Sequence, residues 1–197
     1  MNGARVGWIE RSDTHRYHRR MTNYRRNRLD GGTYFFMVNL ADRFGALLTT
    51  TLNCSVTPSR YTKLRHPFNI DAMVDLPDHL HAVWTLPPTD AGYALRWLLI
   101  KTVLLTISHG GRATLDESRS RGERGVWQRR YWEHTVRDNR DLTSHIDYIH
   151  FNPLKHGHVA RVADWPYSSF HRLVRAGMLP LDWGGDVTAL DGDFGER

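Results

Sequence analysis

Two histidines, His79 and His81, are separated by a single residue. Side chains along a β-strand alternate between its faces, so a strand over 79–86 would place both imidazoles on one face, close enough to share a metal ion. A second pair, His156 and His158, lies in a glycine-containing turn, where no sheet fixes the side-chain directions. The first pair is therefore the candidate metal site. The alternative is that two polar side chains lie on an exposed strand face.

Tyr148 and Asn152 are four residues apart in a segment with helical periodicity, so both project from one helix face. A phenol near a metal can act as a nucleophile, although its ordinary pKa near 10 means that it needs help to ionise. The Asn152 amide oxygen can supply a third metal ligand, and His145 lies one turn before Tyr148. The alternative role for Tyr148 is core packing. Tyr131 is a rival nucleophile, but it lies in a predicted strand without a ligand-type residue at matching spacing.

The elements that must position these residues follow from hydrophobic periodicity. Strands are predicted over 33–40, 68–76, 79–86 and 127–136, and helices over 91–108, 138–151 and 168–176. Pro58 leaves the segment 46–64 undecided between helix and loop. With a helix in the segment 46–64, the order β, α, β, β, α, β followed by helices is typical of an α+β, ferredoxin-like fold: an antiparallel sheet with helices on one face, plus a C-terminal helical extension.

Two local details of these elements can be checked directly. The strand over 68–76 alternates, which predicts Phe68, Ile70, Ala72, Val74 and Leu76 on one face. For the helix that carries Tyr148, Asp138 is predicted to be the N-cap, and Pro153 is predicted to end it.

The charge is distributed in blocks. Residues 1–30 contain eight arginines and three acidic residues, residues 119–140 contain seven arginines and three acidic residues, and residues 182–197 contain five acidic residues and one arginine. We interpret 1–32 as a basic mobile arm, 33–180 as the folded domain and 181–197 as an acidic tail. Within the domain, 109–125 reads as a flexible basic loop. Arginine-rich segments interleaved with aromatic residues favour nucleic-acid binding, the alternative being a solvated basic face.

The composition excludes several classes of protein. A chain of 197 residues with 40% apolar and 24% charged residues suits one globular domain. No run approaches 18 apolar residues, and the arginine-rich N-terminus has no apolar signal region, so we expect a cytoplasmic protein without a membrane span. Cys54 is the single cysteine, which excludes an internal disulfide and cysteine-based zinc sites.

The motifs together resemble a known family. The runs LPDHLHAVW (76–84), WQRRYWEH (127–134), HIDYIHFNPLKHG (145–157) and DWPYSSFH (164–171) are similar to the REP-associated tyrosine transposases of bacteria, which are single-tyrosine HUH transposases. The resemblance covers about 21–187. The 109–125 loop is longer than the family leads one to expect. The first twenty residues lie outside the resemblance, which favours Met21 as an alternative start.

The resemblance implies a specific site. His79 and His81 match the HUH pair, Asn152 matches the helix-borne third ligand, and Tyr148 matches the nucleophile. The cofactor implied is a divalent metal ion, Mg²⁺ or Mn²⁺.

The activity implied is cleavage and rejoining of single-stranded DNA at REP-type hairpins through a 5′-phosphotyrosine link, in the bacterial cytoplasm and associated with the nucleoid. The expected phosphate contacts come from five arginines. They are Arg25, Arg26, Arg28, Arg129 and Arg130. The sequence leaves open whether the protein acts as a monomer or a homodimer.

Two other functions fit the same residues. A transposase-derived protein that binds structured DNA without cleaving it would retain every motif. A small metallohydrolase could use His79 and His81 with water as the nucleophile, although only Asp75 and Asp78 lie near the pair as candidate bases.

Overall fold

The computed structural model describes residues 26–41, 47–50, 56–108, 126–128 and 130–184. The greater part of the predicted basic arm, the 109–125 loop and the acidic tail beyond residue 184 lie outside the described residues. The elements in chain order are β1 (Thr33–Asn39), α1 (Leu47–Thr50), α2 (Val56–Arg65), β2 (Asn69–Asp75), β3 (His79–Thr85), α3 (Tyr93–Ser108), β4 (Trp132–Thr135), α4 (Asn139–Lys155), a short 3₁₀ turn (Val162–Asp164) and α5 (Phe170–Arg175).

The four strands form one antiparallel sheet in the order β2-β3-β1-β4. Strands β2 and β3 form a hairpin, and helices connect β1 to β2 and β3 to β4. This strand order and connectivity confirm the predicted ferredoxin-like α+β fold. The helical extension after β4 begins with α4, which packs on β2 and β3.

Alternation along β1 and β3 separates two apolar clusters. Even-numbered residues such as Tyr34, Phe36 and Trp84 pack with Trp97 of α3, and the Trp84 and Trp97 rings stack with centroids 4.2 Å apart. Odd-numbered residues such as Phe35 pack with α4 instead. Burying one such large side chain contributes about 1.5–3 kcal/mol, so both faces of the sheet contribute to stability.

Strand β2 departs from the predicted alternation because it contains a bulge. The pairing with β3 shifts between Ile70 and Ala72, which leaves Asp71 as an extra residue. Phe68 and Met73 therefore belong to the α3 cluster, whereas Ala72 lies in the α4 cluster. The prediction that 68, 70, 72, 74 and 76 share one face was wrong, because one extra residue reverses the alternation.

The strand predicted over 127–136 is regular only in its second half. β4 begins at Trp132, which pairs with Met37, and Trp127 forms an isolated bridge with Leu40. Between these two contacts the chain advances by three residues on the β1 side, from 37 to 40, and by five on the side of its partner, from 127 to 132. The two segments therefore do not stay in register, and the ladder is interrupted.

Two prolines begin or continue helices rather than ending them. Pro58 is the third residue of α2, where the first turn has no need of its backbone N–H. Pro153 lies inside α4, so the prediction that it ends this helix was wrong. Helix α4 continues to Lys155 and is followed by Gly157 with φ of +70°, a left-handed conformation that commonly ends helices.

Among the described residues, no helix has the length and apolar character needed to cross a membrane.

The start of α4 provides a test of the fold. Asp138 has an extended backbone and its side chain accepts a hydrogen bond from the Asp141 N–H at 2.8 Å, which confirms the predicted N-cap. Asp138→Ala should lower the free energy of unfolding in urea by about 1 kcal/mol, because that N–H loses its acceptor. Asp138→Asn is the matched control, since its amide oxygen can accept the same bond. Equal unfolding midpoints for the two variants would contradict this role.

Candidate functional site

The two histidines of β3 lie side by side beneath α4. His79 and His81 occupy odd-numbered positions of β3, and their ring centroids are 4.9 Å apart. Both rings are buried, because α4 packs on this face of the sheet. Their burial contradicts the alternative that the pair lies on an exposed strand face. A buried imidazole also requires polar partners.

A neighbouring carboxylate fixes the orientation of His79. Asp78 Oδ1 lies 2.7 Å from His79 Nδ1, so the ring N–H donates a hydrogen bond to the carboxylate. The other ring nitrogen, Nε2, is then the one with a lone pair for a ligand. A carboxylate behind a histidine is the usual support for an imidazole that binds a metal. Asp78 therefore orients the His79 ring in the described geometry.

Helix α4 contributes a stripe of four residues with the 3–4 spacing of one helix face: His145, Tyr148, Asn152 and Lys155. The side-chain amide nitrogen of Asn152 lies 3.4 Å from His81 Nε2, and the Tyr148 and His81 ring centroids are 5.3 Å apart. Tyr148 and Asn152 are both fully buried. The structure therefore brings together all four residues that the sequence singled out on β3 and α4.

The donor set is suited to a divalent ion. Two ligand atoms each about 2.1 Å from a metal lie roughly 3.0 to 3.4 Å apart in octahedral or tetrahedral geometry. The 3.4 Å separation between His81 and the Asn152 amide meets this requirement, and a half-turn of the amide exchanges its nitrogen and oxygen. Two imidazoles and one amide oxygen form a mixed nitrogen and oxygen site of the kind that accepts Mn²⁺ as well as Mg²⁺.

Two residues that the sequence did not connect to the site also lie next to it. Lys155 Nζ lies 4.9 Å from the centre of the Tyr148 ring, and a cation there favours the ionised form of a phenol. The His156 ring is 5.5 Å from that of His79. The seven-residue spacing between Tyr148 and Lys155 was the available signal, because it returns to the same helix face.

Tyr131, the rival nucleophile, lies on the opposite side of the sheet. Its ring packs against Phe36 and Trp97 of the α3 cluster, and the Arg26 guanidinium lies 4.4 Å from its centre. A β-sheet separates it from the histidine pair. Tyr131 therefore serves as a chemical control for Tyr148.

Three of the five arginines expected to contact phosphate lie within the described residues. Arg26, Arg28 and Arg130 are exposed, and Arg26 Nε also approaches Glu133 Oε1 at 3.7 Å. Arg25 and Arg129 lie outside the described residues. Within the described part of the chain, no contact joins any of these three arginines to the histidine pair, so a phosphate that they bind would lie away from His79 and His81.

A second group of potential metal ligands lies between β4 and the start of α4. His134, Asp141 and His145 each offer a ligand atom within 4.8 Å of the others. His134 Nε2 is 2.9 Å from Asp141 Oδ2, which also accepts hydrogen bonds from the Arg137 side chain and backbone N–H. The group could bind a metal. In the structure the Arg137 guanidinium is the cation that pairs with Asp141. The hydrogen bonds of Asp141 to Arg137 and His134 connect the start of α4 to the edge strand β4.

The electrostatics of this network favour the ionised carboxylate. Burial raises the pKa of Asp141, but hydrogen bonds from His134 and Arg137 outweigh it and hold that pKa well below its usual range. Burial lowers the pKa of the adjacent His145, whose Nδ1 lies 2.8 Å from the Asp141 carbonyl oxygen. The sequence noted His145 alone, because nothing in the spacing of His134 and Asp141 predicts that a strand and a helix will meet here.

The fold and the site define a class of protein: a small ferredoxin-like α+β domain that places a helix-borne tyrosine and asparagine against two histidines on a central strand. Comparison with known proteins identifies its family. No protein-family profile matches the chain. The chain is 42% identical over 186 residues to the REP-associated tyrosine transposase of Escherichia coli K12, covering 90% of this chain and 98% of the relative.

A second relative and a solved structure agree with the first. The chain is 44% identical over 167 residues to a protein of Haemophilus influenzae named a putative REP-associated tyrosine transposase, covering 84% of this chain and 95% of the relative. A solved REP-associated tyrosine transposase bound to a REP hairpin superposes with a TM-score of 0.76 at 43% identity, over 90% of this chain and 98% of that one. The chain belongs to the REP-associated tyrosine transposases.

The Asp141 network provides a test with a defined pH dependence. Because the pKa of Asp141 is lowered by folding, its contribution to stability is fully present above the unfolded value of 3.8 and is lost as the pH falls below it. At pH 7, Asp141→Asn should lower the free energy of unfolding by about 1.5–3 kcal/mol, the range for hydrogen bonds to a charged group. Urea unfolding at pH 7 and pH 3 should show the difference from wild type shrinking in acid.

Asp182 is the control for this experiment, because it lies on an exposed turn. Asp182→Asn should change the unfolding free energy by less than about 0.5 kcal/mol at either pH. A difference between Asp141→Asn and wild type that is the same at pH 7 and pH 3 would contradict the role given to the ionised carboxylate.

Proposed function

We propose that this protein is a metal-dependent endonuclease and strand transferase that acts on single-stranded DNA at REP-type hairpins, with Tyr148 as the nucleophile. The observation that carries the proposal is the placement of Tyr148 and Asn152 of α4 directly against His79 and His81 of β3. The hairpin in the solved structure of a 43% identical transposase supports the class of substrate.

His79, His81 and Asn152 are the residues that would hold the metal. A divalent ion there would neutralise charge on the scissile phosphate and on the departing oxygen. The residues do not select strongly between Mg²⁺ and Mn²⁺, because oxygen and nitrogen ligands are both present. Asp78 keeps the His79 ring oriented through its 2.7 Å contact with Nδ1.

Tyr148 carries the covalent step. Its phenol oxygen attacks phosphorus, the phenolic proton passes to water, and the bond from phosphorus to the 3′ oxygen breaks as that oxygen takes up a proton. The products are a 5′-phosphotyrosine and a free 3′-hydroxyl. Lys155 favours the attacking phenolate, because its ammonium lies 4.9 Å from the ring centre.

The reverse step rejoins DNA. A 3′-hydroxyl from the same or another strand attacks the phosphotyrosine, so that one phosphodiester replaces another and Tyr148 regains its proton. Because the number of phosphoester bonds is conserved, the exchange needs no nucleotide cofactor. Binding of the substrate would draw on Arg25, Arg26, Arg28, Arg129 and Arg130 as phosphate contacts.

A non-catalytic protein that binds structured DNA is the second candidate. The observation that favours it is the complete burial of Tyr148, whose ring packs between Phe35 and His81 as a core residue would. Catalysis requires the phenol oxygen to reach a phosphate, and therefore an opening of this packing when DNA binds.

The first test replaces only the phenol oxygen. Tyr148→Phe should retain hairpin binding, because the ring still fills its place against Phe35, and should lose the covalent DNA adduct altogether. The measurement uses a labelled hairpin from the repeats flanking the gene, incubated with Mn²⁺ or Mg²⁺ and resolved on a denaturing gel. Tyr131→Phe is the matched control and should form the adduct at the wild-type level.

The outcomes separate the candidate functions. An adduct that persists in Tyr148→Phe and disappears in Tyr131→Phe would reverse the assignment. Cleavage without any protein–DNA adduct, surviving Tyr148→Phe, would support a metallohydrolase. Hairpin that is bound by wild type but never cleaved or attached would support the non-catalytic candidate.

The second test addresses the metal. His81→Gln should reduce adduct formation by more than about 10-fold, since loss of even a group that only supports a metal ligand commonly costs about 10- to 100-fold, and EDTA should abolish the adduct in wild type. Binding of Mn²⁺, followed by isothermal titration, should weaken in parallel. His158→Gln is the control from the second histidine pair, because His158 is exposed and stacks on Trp165 instead. Full activity of His81→Gln in the presence of EDTA would rule out the metal site.

A further inference from the structure

A basic groove runs along the outer edge of β2, between α2 and α5. It has a volume of about 390 Å³, and four cationic side chains line it: Arg60, Lys63, Arg172 and Arg175. Asp75 is the acidic residue of the lining. None of the four belongs to the arginines that the sequence suggested for DNA binding, so the groove is a feature of the tertiary structure.

The cations of the groove are not neutralised within the part of the chain that the structure describes. There, no carboxylate lies within ion-pair distance of Arg60, Lys63 or Arg175. Arg60, Lys63 and Arg175 are all exposed. Positive charges gathered around one concavity repel each other, so an anionic ligand that binds there gains from all of them at once.

The floor and one wall of the groove are held firmly. Arg172 donates hydrogen bonds to the carbonyls of Ile70 and Asp71 at 2.8 and 2.7 Å, at the bulge of β2. Ser168 bridges to Val74 of β2, and the Met73 N–H donates to the Ser169 hydroxyl. The segment before α5 therefore extends the sheet edge, and Arg172 is a structural residue of this wall.

We propose that this groove binds the sugar-phosphate backbone of the duplex stem of a DNA hairpin. The proposal rests on the proposed function for its choice of partner, since a hairpin-binding protein needs a surface for the stem as well as a site for the cut strand. Flexible cations without base-reading partners suit phosphates. Tyr167 is the aromatic residue of the lining, and it is half-buried against Trp165, so the groove lacks the stacking platform of a single-strand site.

The position of the groove suits this partner. β2 pairs with β3, and Val74 of β2 lies opposite His81. A stem lying along the β2 edge would thus be one strand away from the histidine pair, and the single-stranded flank of the stem would extend toward Tyr148. The groove would fix the distance between the stem and the cleaved phosphate.

The test measures hairpin affinity as a function of salt, in EDTA so that no cleavage occurs. The triple variant Arg60→Gln, Lys63→Gln, Arg175→Gln leaves the structural Arg172 in place. The slope of log K against log of the salt concentration should decrease in magnitude by about 3 relative to wild type, about 1 for each phosphate that the variant no longer neutralises. Fluorescence anisotropy with a labelled REP-type hairpin from the repeats flanking the gene provides the measurement.

The matched control removes the same charge elsewhere. The triple variant Arg65→Gln, Arg140→Gln, Arg161→Gln replaces exposed arginines that do not line the groove. It should keep the wild-type slope to within about 1, because charges away from the contact surface release no bound counterions. Unchanged circular dichroism and melting temperature of both triples show that neither result comes from unfolding.

The outcomes distinguish this proposal from the proposed function. Equal decreases of slope in both triples would overturn the groove and indicate a general effect of net charge. An equal decrease on a single strand of the same length without a stem would overturn the choice of the stem. Failure of the wild-type protein to bind the hairpin would also overturn the proposal that the groove binds its stem. If the slope decreases in the groove triple alone while wild type forms no Tyr148 adduct, the groove stands and the nuclease chemistry fails.

Discussion

The packing of α4 on the odd-numbered face of β3 is the contact on which the rest of the site depends. It places Asn152 3.4 Å from His81 and sets the Tyr148 ring against the same imidazole. A strand alone presents two histidines and a helix alone presents a tyrosine and an amide, and only the packing of one on the other brings the four side chains together. Successive residues of a helix point about 100° apart around its axis. A rotation of α4 about that axis would therefore move Tyr148 and Asn152 away from the histidines of β3.

Polar contacts at both ends of α4 fix its orientation and prevent such a rotation. At its start, Asp138 caps the helix and Asp141 ties it to His134 of the edge strand. Toward its end, His150 Nε2 lies 3.1 Å from the Ser169 hydroxyl, which itself accepts the Met73 N–H of β2. Polar groups buried at such positions favour one arrangement strongly, because any other leaves them without partners.

The two faces of the sheet differ in the kind of side chain that they bury. The α3 face is dominated by aromatic packing, including the stacked Trp84 and Trp97, and supplies apolar burial. The α4 face combines apolar packing with the buried polar side chains of the site. The bulge at Asp71 places apolar residues of β2 on both faces of the sheet, and the carbonyls of Ile70 and Asp71 beside it accept hydrogen bonds from Arg172.

The sequence by itself predicted most of the elements and, through their order, the ferredoxin-like fold. It also placed His79 with His81 on one strand face and Tyr148 with Asn152 on one helix face, because alternation and helical spacing are local properties of the chain. The family resemblance, and not the spacing, joined these four residues into one predicted site. The sequence also identified the Asp138 cap. The bulge in β2, the interrupted ladder before β4 and the continuation of α4 through Pro153 escaped it. Each is decided by pairing or packing with another element, and these contacts outweigh the local preference.

Tertiary structure alone decided which distant charged residues meet. His134 joins Asp141 and His145 because an edge strand lies beside a helix start, and Arg60 joins Arg172 because α2 and α5 flank one strand. The arginine-rich segments seen in the sequence, 1–30 and 119–140, contain none of the four cations of the groove. Arg60 and Arg172 are more than a hundred residues apart and have no periodicity that could reveal their proximity, which arises only when the sheet forms and α2 and α5 come to flank the same edge strand.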